Sequence, residues 1–315
     1  MAKSKEIRKV AVVGTGVIGA SWTALYLACG LNVIATDPAP KAEANLRRYI
    51  DDAWKDLVAL GLSPQASRDH LEFTLDMKQA LSDADFVQEN GPERAEFKVK
   101  LFAEMDAATP PDSILASSSS GLTMSVIQSA CKHPERCVIG HPINPPHVVP
   151  LVEVVAGRKT SPETVQQAMS FYTSIGKKPI HLRKEVVGHA ANRFQAALYR
   201  EVVYLIEQGV LDVADADIAV SWGPGLRWGV MGPNLQFHLA GGQGGIQHFM
   251  GYLSGPITTW WKDLGTLTEF SPQAKQTIID GVLEEAGNRS IEQLTREENE
   301  VLLGLLKLRA QDSAE

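Results

Sequence analysis

Val10-Ala11-Val12-Val13 followed by Gly14-Thr15-Gly16-Val17-Ile18-Gly19 is the stretch on which the reading of this chain turns. A short apolar run that opens into spaced glycines reads as a strand, a tight turn and the start of a helix. Gly14 permits the turn, Gly16 lets the backbone approach a pyrophosphate, and Gly19 lets helix and strand pack closely. The pyrophosphate of a dinucleotide then sits at the helix start, where the unpaired N–H groups of Gly16, Val17, Ile18 and Gly19 and the helix dipole favour an anion. The context fits: Ala20–Cys29 carries an apolar helical pattern and Leu31–Thr36 reads as a second strand. Asp37 follows, an acid about 20 residues on from the glycines. Its carboxylate can accept the adenine ribose hydroxyls and repel a 2′-phosphate, which favours NAD over NADP.

Outward from this motif the first half alternates strand and helix patterns. Pro40–Leu60 is helical, Asp85–Gln88 and Ser113–Ala116 read as strands, and Glu93–Ala108 is a helix between them. Cys137–His141, Val148–Val155 and Pro179–Leu182 read as further strands. Short buried strands separated by helices predict βαβ units and a parallel sheet. After Gly188 the texture changes. Ala190–Gln208, with Leu198, Val202, Leu205 and Ile206 on one face, reads as one long helix, and Val213–Trp222, Pro272–Ala286 and Ile291–Ala310 as three more. The division is an α/β Rossmann-type domain over residues 1–187 and an all-α domain over 188–315.

Composition bounds the function. A chain of 315 residues has room for two cores, and 44% hydrophobic with 21% charged residues is ordinary globular usage. The formal charge of −7 argues against general binding of nucleic acid or anionic membrane. No apolar run approaches the roughly 20 residues of a membrane span. The basic start, MAKSKEIRKV, reads as a short tail running into the first strand and not as a signal peptide. Cys29, Cys131 and Cys137 fit no ligand or nucleophile motif and read as reduced thiols of a cytoplasmic protein. The eight histidines form no HExxH or closely spaced set, so no metal is expected.

His141 ends a strand at the carboxyl edge of the sheet, where open α/β sheets place ligands. The turn Ile143-Asn144-Pro145-Pro146-His147 can fold the next strand back and bring Glu153 beside the imidazole. Such a pair suits alcohol oxidation: the imidazole takes the hydroxyl proton, and the carboxylate fixes the tautomer and stabilises the imidazolium. Spacing alone leaves a structural histidine equally open.

With these motifs in order (GTGVIG, SSSSG at 117–121, GHPINPP with PLVEVV, and GHAANRF at 188–194) the chain resembles the 3-hydroxyacyl-CoA dehydrogenase superfamily. The resemblance implies NAD, a Rossmann domain, and a helical domain that forms a homodimer. It carries the catalytic roles to His141 and Glu153, the substrate-hydroxyl contact to Ser120, and the orienting asparagine to Asn192. It carries cofactor contact to Glu93 and Lys98.

Trp22, Lys184-Glu185-Val186, Gly225-Leu226-Arg227-Trp228 and Leu239–Met250 resemble the branch that oxidises small free 3-hydroxy acids, with carnitine-type and gulonate-type (lambda-crystallin) members. Ile143 and His189 depart from it, standing where acyl-CoA and carnitine enzymes usually have Phe. Arg227 is the candidate clamp for a substrate carboxylate, since guanidinium matches it bidentately. Trp228 and Trp222 are candidates for cation–π contact with a quaternary ammonium, and Phe249 and His248 are candidates to line the same pocket across the dimer. The rival reading is an L-3-hydroxyacyl-CoA dehydrogenase, but Lys55 and Arg68 make no basic strip for CoA. A catalytically silent, crystallin-like protein is the third reading, against which stand the intact dyad and glycine loop.

Overall fold

Val10 and Val12 are buried on one face of a sheet and Ala11 and Val13 on the other, as the period of two requires when helices cover both faces. The computed structural model describes residues 6–311; the first residues of the basic start, Met1 to Lys5, lie outside the described residues. Up to Asn192 the chain forms one compact unit, and from Arg193 onward a second.

The first unit runs β1 (Lys9–Val13), α1 (Val17–Ala28), β2 (Asn32–Thr36), α2 (Ala42–Leu60), β3 (Leu71–Thr74), α3 (Met77–Leu81), β4 (Phe86–Glu89), α4 (Ala95–Ala108), β5 (Ile114–Ser117) and α5 (Met124–Ile127). It continues through β6 (Cys137–Pro142), β7 (Leu151–Ala156), α6 (Pro162–Ser174) and β8 (Lys178–Leu182). Eight strands form one sheet in the order β3-β2-β1-β4-β5-β6-β7-β8. The sheet is parallel from β3 to β6, as expected, but β7 runs antiparallel to β6, and β8 follows β7 in parallel. The reversal is made by the segment 143–150, rich in proline, with a cis Asn144–Pro145 peptide.

One face of the sheet packs aromatic side chains. Trp22 stacks on Tyr26 with ring centroids 5.4 Å apart, and Phe86 meets Phe171 at 4.4 Å. The buried hydroxyls of Tyr26 and Tyr172 both donate to Gln88 Oε1, at 3.2 and 2.7 Å, so neither is left unpaired. Phe102, Met105, Leu115 and Ile139 fill the other face. Each fully buried side chain of this size contributes about 1.5–3 kcal/mol relative to exposure.

Three elements of the first unit, β3, α3 and α6, were not anticipated. β3 and α3 are short, four and five residues, too brief for a period to show. Ser161 accepts the Thr164 N–H as N-cap of α6, and Pro162 is the first residue of that helix. The strand expected over Val148–Val155 begins only at Leu151, because Val148 and Val149 donate their N–H groups to Pro145 O in the loop.

The second unit is helical among the described residues. It comprises most of α7 (Ala191–Glu207), then α8 (Val213–Ser221), α9 (Pro224–Val230), α10 (Pro233–Ala240), α11 (Gly245–His248), α12 (Gly255–Trp260), α13 (Pro272–Ala286) and α14 (Ile291–Gln311). Asp212 and Ser271 cap α8 and α13 through side-chain acceptors. Its core is small, built on Ile206, Val213 and Ala216. Trp222, Tyr252 and Trp261 are exposed, at 76%, 81% and 67%. No helix among the described residues is long and apolar enough to cross a membrane.

Candidate active site

The glycine loop is built as its spacing demands. Gly14 has φ +86° and donates its N–H to Thr36 O at 2.9 Å. A Cβ on Gly19 would lie 1.9 Å from Gly14 O, which is the close helix–strand approach at that position. A Cβ on Gly16 would meet nothing within 4 Å, so the space in front of α1 is open on the side of the protein. Gly16 is the N-cap of α1 and brings no side-chain acceptor to its N–H groups. An open cradle before uncapped N–H groups is what a pyrophosphate fits. Asp37 stands at the end of β2. Its Oδ2 accepts the Thr15 N–H at 2.7 Å and the Thr15 hydroxyl at 3.2 Å, and its Oδ1 accepts the Ala39 N–H at 2.8 Å. Asp37 therefore also ties the glycine loop to the second strand.

At the end of β4 a network appears that sequence reasoning missed. Glu89 is fully buried and accepts from Lys98 Nζ at 2.7 and 2.9 Å, from the Ser117 hydroxyl at 2.6 Å and from the Gly91 N–H at 2.6 Å. Lys98 is 1% exposed and donates a further bond to Gly91 O at 3.0 Å. The Lys98 donors are taken up by Glu89 and the Gly91 loop, which the side chain braces from behind. The signal was Glu89 and Lys98 themselves, two charges that must pair if a strand end and the buried side of a helix meet. Glu93 Oε1 gathers the Ser119 hydroxyl at 2.6 Å and the N–H groups of Gly121 and Leu122 at 2.9 and 3.2 Å. Burial pushes the Glu93 carboxyl up, but these hydrogen bonds and Lys98 outweigh it and hold the group below its usual range.

The serine run then divides by role. Ser117 donates to Glu89, Ser118 donates to Asn90 Oδ1 and accepts from Trp22 Nε1 and Gln88 Nε2, and Ser119 donates to Glu93. Ser120 is exposed, and its carbonyl accepts Asn192 Nδ2 at 2.9 Å. The structure thus brings Ser120 and Asn192 together.

His141 and Glu153 are register partners across β6 and β7, with Nδ1 2.8 Å from Oε2. They are buried, at 3% and 0% exposure. Glu153 Oε1 accepts the N–H groups of Ala190 and Ala191 at 2.8 and 3.0 Å. Burial alone raises the Glu153 carboxyl, but the His141 bond and the two backbone donors outweigh it and keep the group low, hence ionised. An ionised carboxylate only accepts, so Nδ1 carries the proton, and in the neutral ring Nε2 is then the acceptor. His189, not assigned a role from sequence, packs its ring 5.1 Å from that of His141.

In the second unit, Arg227 and Trp228 lie on α9 and line a cavity of about 200 Å³ with Pro224, Gln236, Phe237 and Phe249. Arg227 donates to Gln236 Oε1, and Phe237 stacks on Phe249 at 4.5 Å. Trp222 does not line it, and His248 packs against Tyr252 instead, at 5.2 Å. A larger cavity of about 530 Å³, bordered by Tyr199, Val203 and Phe270, is lined by Arg193 of the GHAANRF segment but by none of the candidate site residues. Arg68 pairs with Asp51 and stacks on Trp54, so it is no free landing point for phosphate. No group of three or more metal-ligating side chains occurs among the described residues.

A profile for the 3-hydroxyacyl-CoA dehydrogenase NAD binding domain matches residues 9–186, and one for the 3-hydroxyacyl-CoA dehydrogenase C-terminal domain matches residues 188–281. The L-carnitine dehydrogenase of Pseudomonas putida is 43% identical over 302 residues, 96% of this chain and 94% of its own length. That of Streptomyces coelicolor is 43% identical over 307 residues, 98% and 96% of the two chains. Among solved structures, a 5-formyl-3-hydroxy-2-methylpyridine 4-carboxylic acid 5-dehydrogenase, described as an NAD+-dependent dismutase, is similar with TM-score 0.83 and 32% identity, covering 96% of this chain and 98% of its own.

Proposed function

Since the chain belongs to the 3-hydroxyacyl-CoA dehydrogenase family and is an NAD-dependent oxidoreductase acting on CH–OH groups, we propose that it oxidises the 3-hydroxyl of a small free L-3-hydroxy acid, of carnitine or gulonate type, to the 3-keto acid. Bound NAD supplies the hydride acceptor. Gly14, Gly16, Val17, Ile18 and Gly19 hold its pyrophosphate by backbone groups, Asp37 its adenine ribose, and Glu93 shapes the neighbouring loop.

His141 Nε2 takes the hydroxyl proton as C3 is oxidised. Glu153, held ionised by Ala190 and Ala191, fixes the Nδ1–H tautomer and stabilises the imidazolium that results, a division of labour worth roughly 10²–10⁴-fold. The single observation that carries this is the 2.8 Å Nδ1–Oε2 contact between register partners. The exposed Ser120 hydroxyl binds the reacting oxygen, and Asn192 orients the loop that carries it.

The free-acid reading is supported by the kinship with L-carnitine dehydrogenases. Arg227 offers a bidentate match for the carboxylate, and Trp228 an aromatic face for a quaternary ammonium. The exposed Trp222, Tyr252 and Trp261 support a homodimer formed through the helical unit. Free thiols at Cys29, Cys131 and Cys137 agree with a cytoplasmic enzyme.

Steady-state kinetics with L-carnitine, L-gulonate, free 3-hydroxybutyrate and acetoacetyl-CoA test the reading. A free acid is expected to give the highest kcat/KM. A high kcat/KM with acetoacetyl-CoA alone overturns it.

A further inference from the structure

We propose that His189 is a positioning residue for the oxidation: its imidazole braces the His141 ring and locks the chain that holds Glu153 to the loop that carries Ser120. The proposal rests on His141 being the base.

His189 is 1% exposed and follows Gly188, and both have positive φ, 49° and 77°. A residue with a side chain adopts that conformation only at a cost, and such outliers persist where the surroundings over-determine them. Three contacts do so here. The backbone N–H of His189 donates to Val186 O at 3.1 Å. The ring Nε2 lies 2.9 Å from Ser119 O, and because a carbonyl only accepts, Nε2 carries the proton. The ring faces His141 with centroids 5.1 Å apart and planes inclined by 47°.

That tautomer leaves Nδ1 as a buried acceptor, and it has no hydrogen-bond partner. A phenyl ring would fill the same space without this penalty. Burial chiefly, with His141 adding to it, pushes the His189 imidazole down, which keeps the ring neutral. It therefore places no second positive charge beside the imidazolium that forms on His141.

The connection to Glu153 is covalent and short. Ala190 and Ala191, the next two residues, donate the N–H groups that hold Glu153 Oε1. On the other side Ser119 is itself held by Glu93 and adjoins Ser120. One side chain thus joins the imidazole, the carboxylate's backbone donors and the serine loop. Small misplacements of reacting groups cost up to about 10²-fold in rate, so loosening this junction should appear in kcat.

The test compares His189→Ala, His189→Phe and His189→Gln in the full-length enzyme. Phe keeps a flat ring against His141 without the N–H; Gln keeps a donor for Ser119 O without the ring. The readouts are kcat and KM for the best substrate, NAD affinity by fluorescence, and Tm. His189→Ala is expected to lower kcat by roughly 10–100-fold with NAD affinity unchanged, and Phe and Gln each to restore part of it. Wild-type kcat in all three variants, or a fall only in Tm with the folded enzyme fully active, overturns the proposal. His141→Gln is run beside them. If it keeps full activity, the reading of the base has failed; if it is inactive while the His189 variants are not, only this proposal has.

Discussion

Nδ1 of His141 lies 2.8 Å from Oε2 of Glu153, and the two residues are direct partners in the antiparallel register of β6 and β7. The contact is a consequence of chain reversal: side chains at paired positions project to the same face of a sheet. Glu153→Gln keeps the shape and removes the charge. Its amide also cannot satisfy all of its neighbours, since an NH₂ group would face either the N–H groups of Ala190 and Ala191 or the protonated Nδ1. We expect kcat to fall by roughly 10²–10⁴-fold with NAD affinity retained, because the glycine loop lies on β1 and α1. Rapid kinetics and NADH fluorescence titration check both halves, and a kcat within about twofold of wild type would remove Glu153 from the chemistry.

Gly16 and Gly19 should separate binding from folding. Alanine at Gly16 meets no protein atom within 4 Å, and its φ of −61° is open to any residue. Gly16→Ala is therefore expected to unfold within about 0.5 kcal/mol of wild type while losing about tenfold or more in NAD affinity. Alanine at Gly19 places its Cβ 1.9 Å from Gly14 O. Backbone must move, so Gly19→Ala should lose about 1–3 kcal/mol of stability as well as affinity. Urea unfolding and calorimetric titration of both variants make the comparison. Equal stability loss in the two would show that Gly16 is also a packing glycine.

Asp37 carries the nucleotide preference and part of the loop. Asp37→Ala removes the acceptor for a ribose hydroxyl and the repulsion of a 2′-phosphate, and with them the bonds from Thr15 and Ala39. NAD affinity is expected to drop by about tenfold and the NAD-to-NADP ratio to narrow. Equal affinity of the wild type for NAD and NADP would contradict the role.

What could be read from the sequence follows from how local each signal is. The glycine loop lies within one strand–turn–helix, so spacing alone gave its fold. The reversal that pairs His141 with Glu153 was legible because the Asn144-Pro145-Pro146 turn ends one strand and precedes another. The Glu89–Lys98 pair was not read as buried, because nothing in a helical period tells that a lysine points inward until its strand partner is known. His189 escaped for a similar reason: its contacts are with Ser119 and His141, far apart in sequence, and its left-handed backbone has no signature in a single side chain. The short helices α9 to α12, broken by glycine and proline, have too few turns for an apolar stripe to emerge.

Lys177 gives the last prediction. It is 4% exposed, donates from Nζ to Pro146 O and Val149 O at 2.5 Å each, and lies 5.2 Å from the centre of the Trp22 ring. It thereby holds the loop that joins β6 to β7. Burial, opposed in part by the Cys29 thiol, pushes its pKa down from 10.5 to about 7. The unfolded chain keeps that proton up to about 10.5 whereas the folded chain releases it from about 7. Between those values the unfolded state binds more protons, so this residue's contribution makes the protein more stable as pH rises. Below about 7 the ammonium is charged in both states and its full burial cost is present. The neutral amine suits the site, having two N–H groups for two carbonyls. Lys177→Met keeps the length, drops the ionisation and forfeits both hydrogen bonds. Urea unfolding of the two proteins at a series of pH values between about 6 and 9 should give a difference in stability that grows with pH in favour of the wild type. A difference that stays constant across the series would mean that Lys177 is already neutral, or still charged, throughout the range.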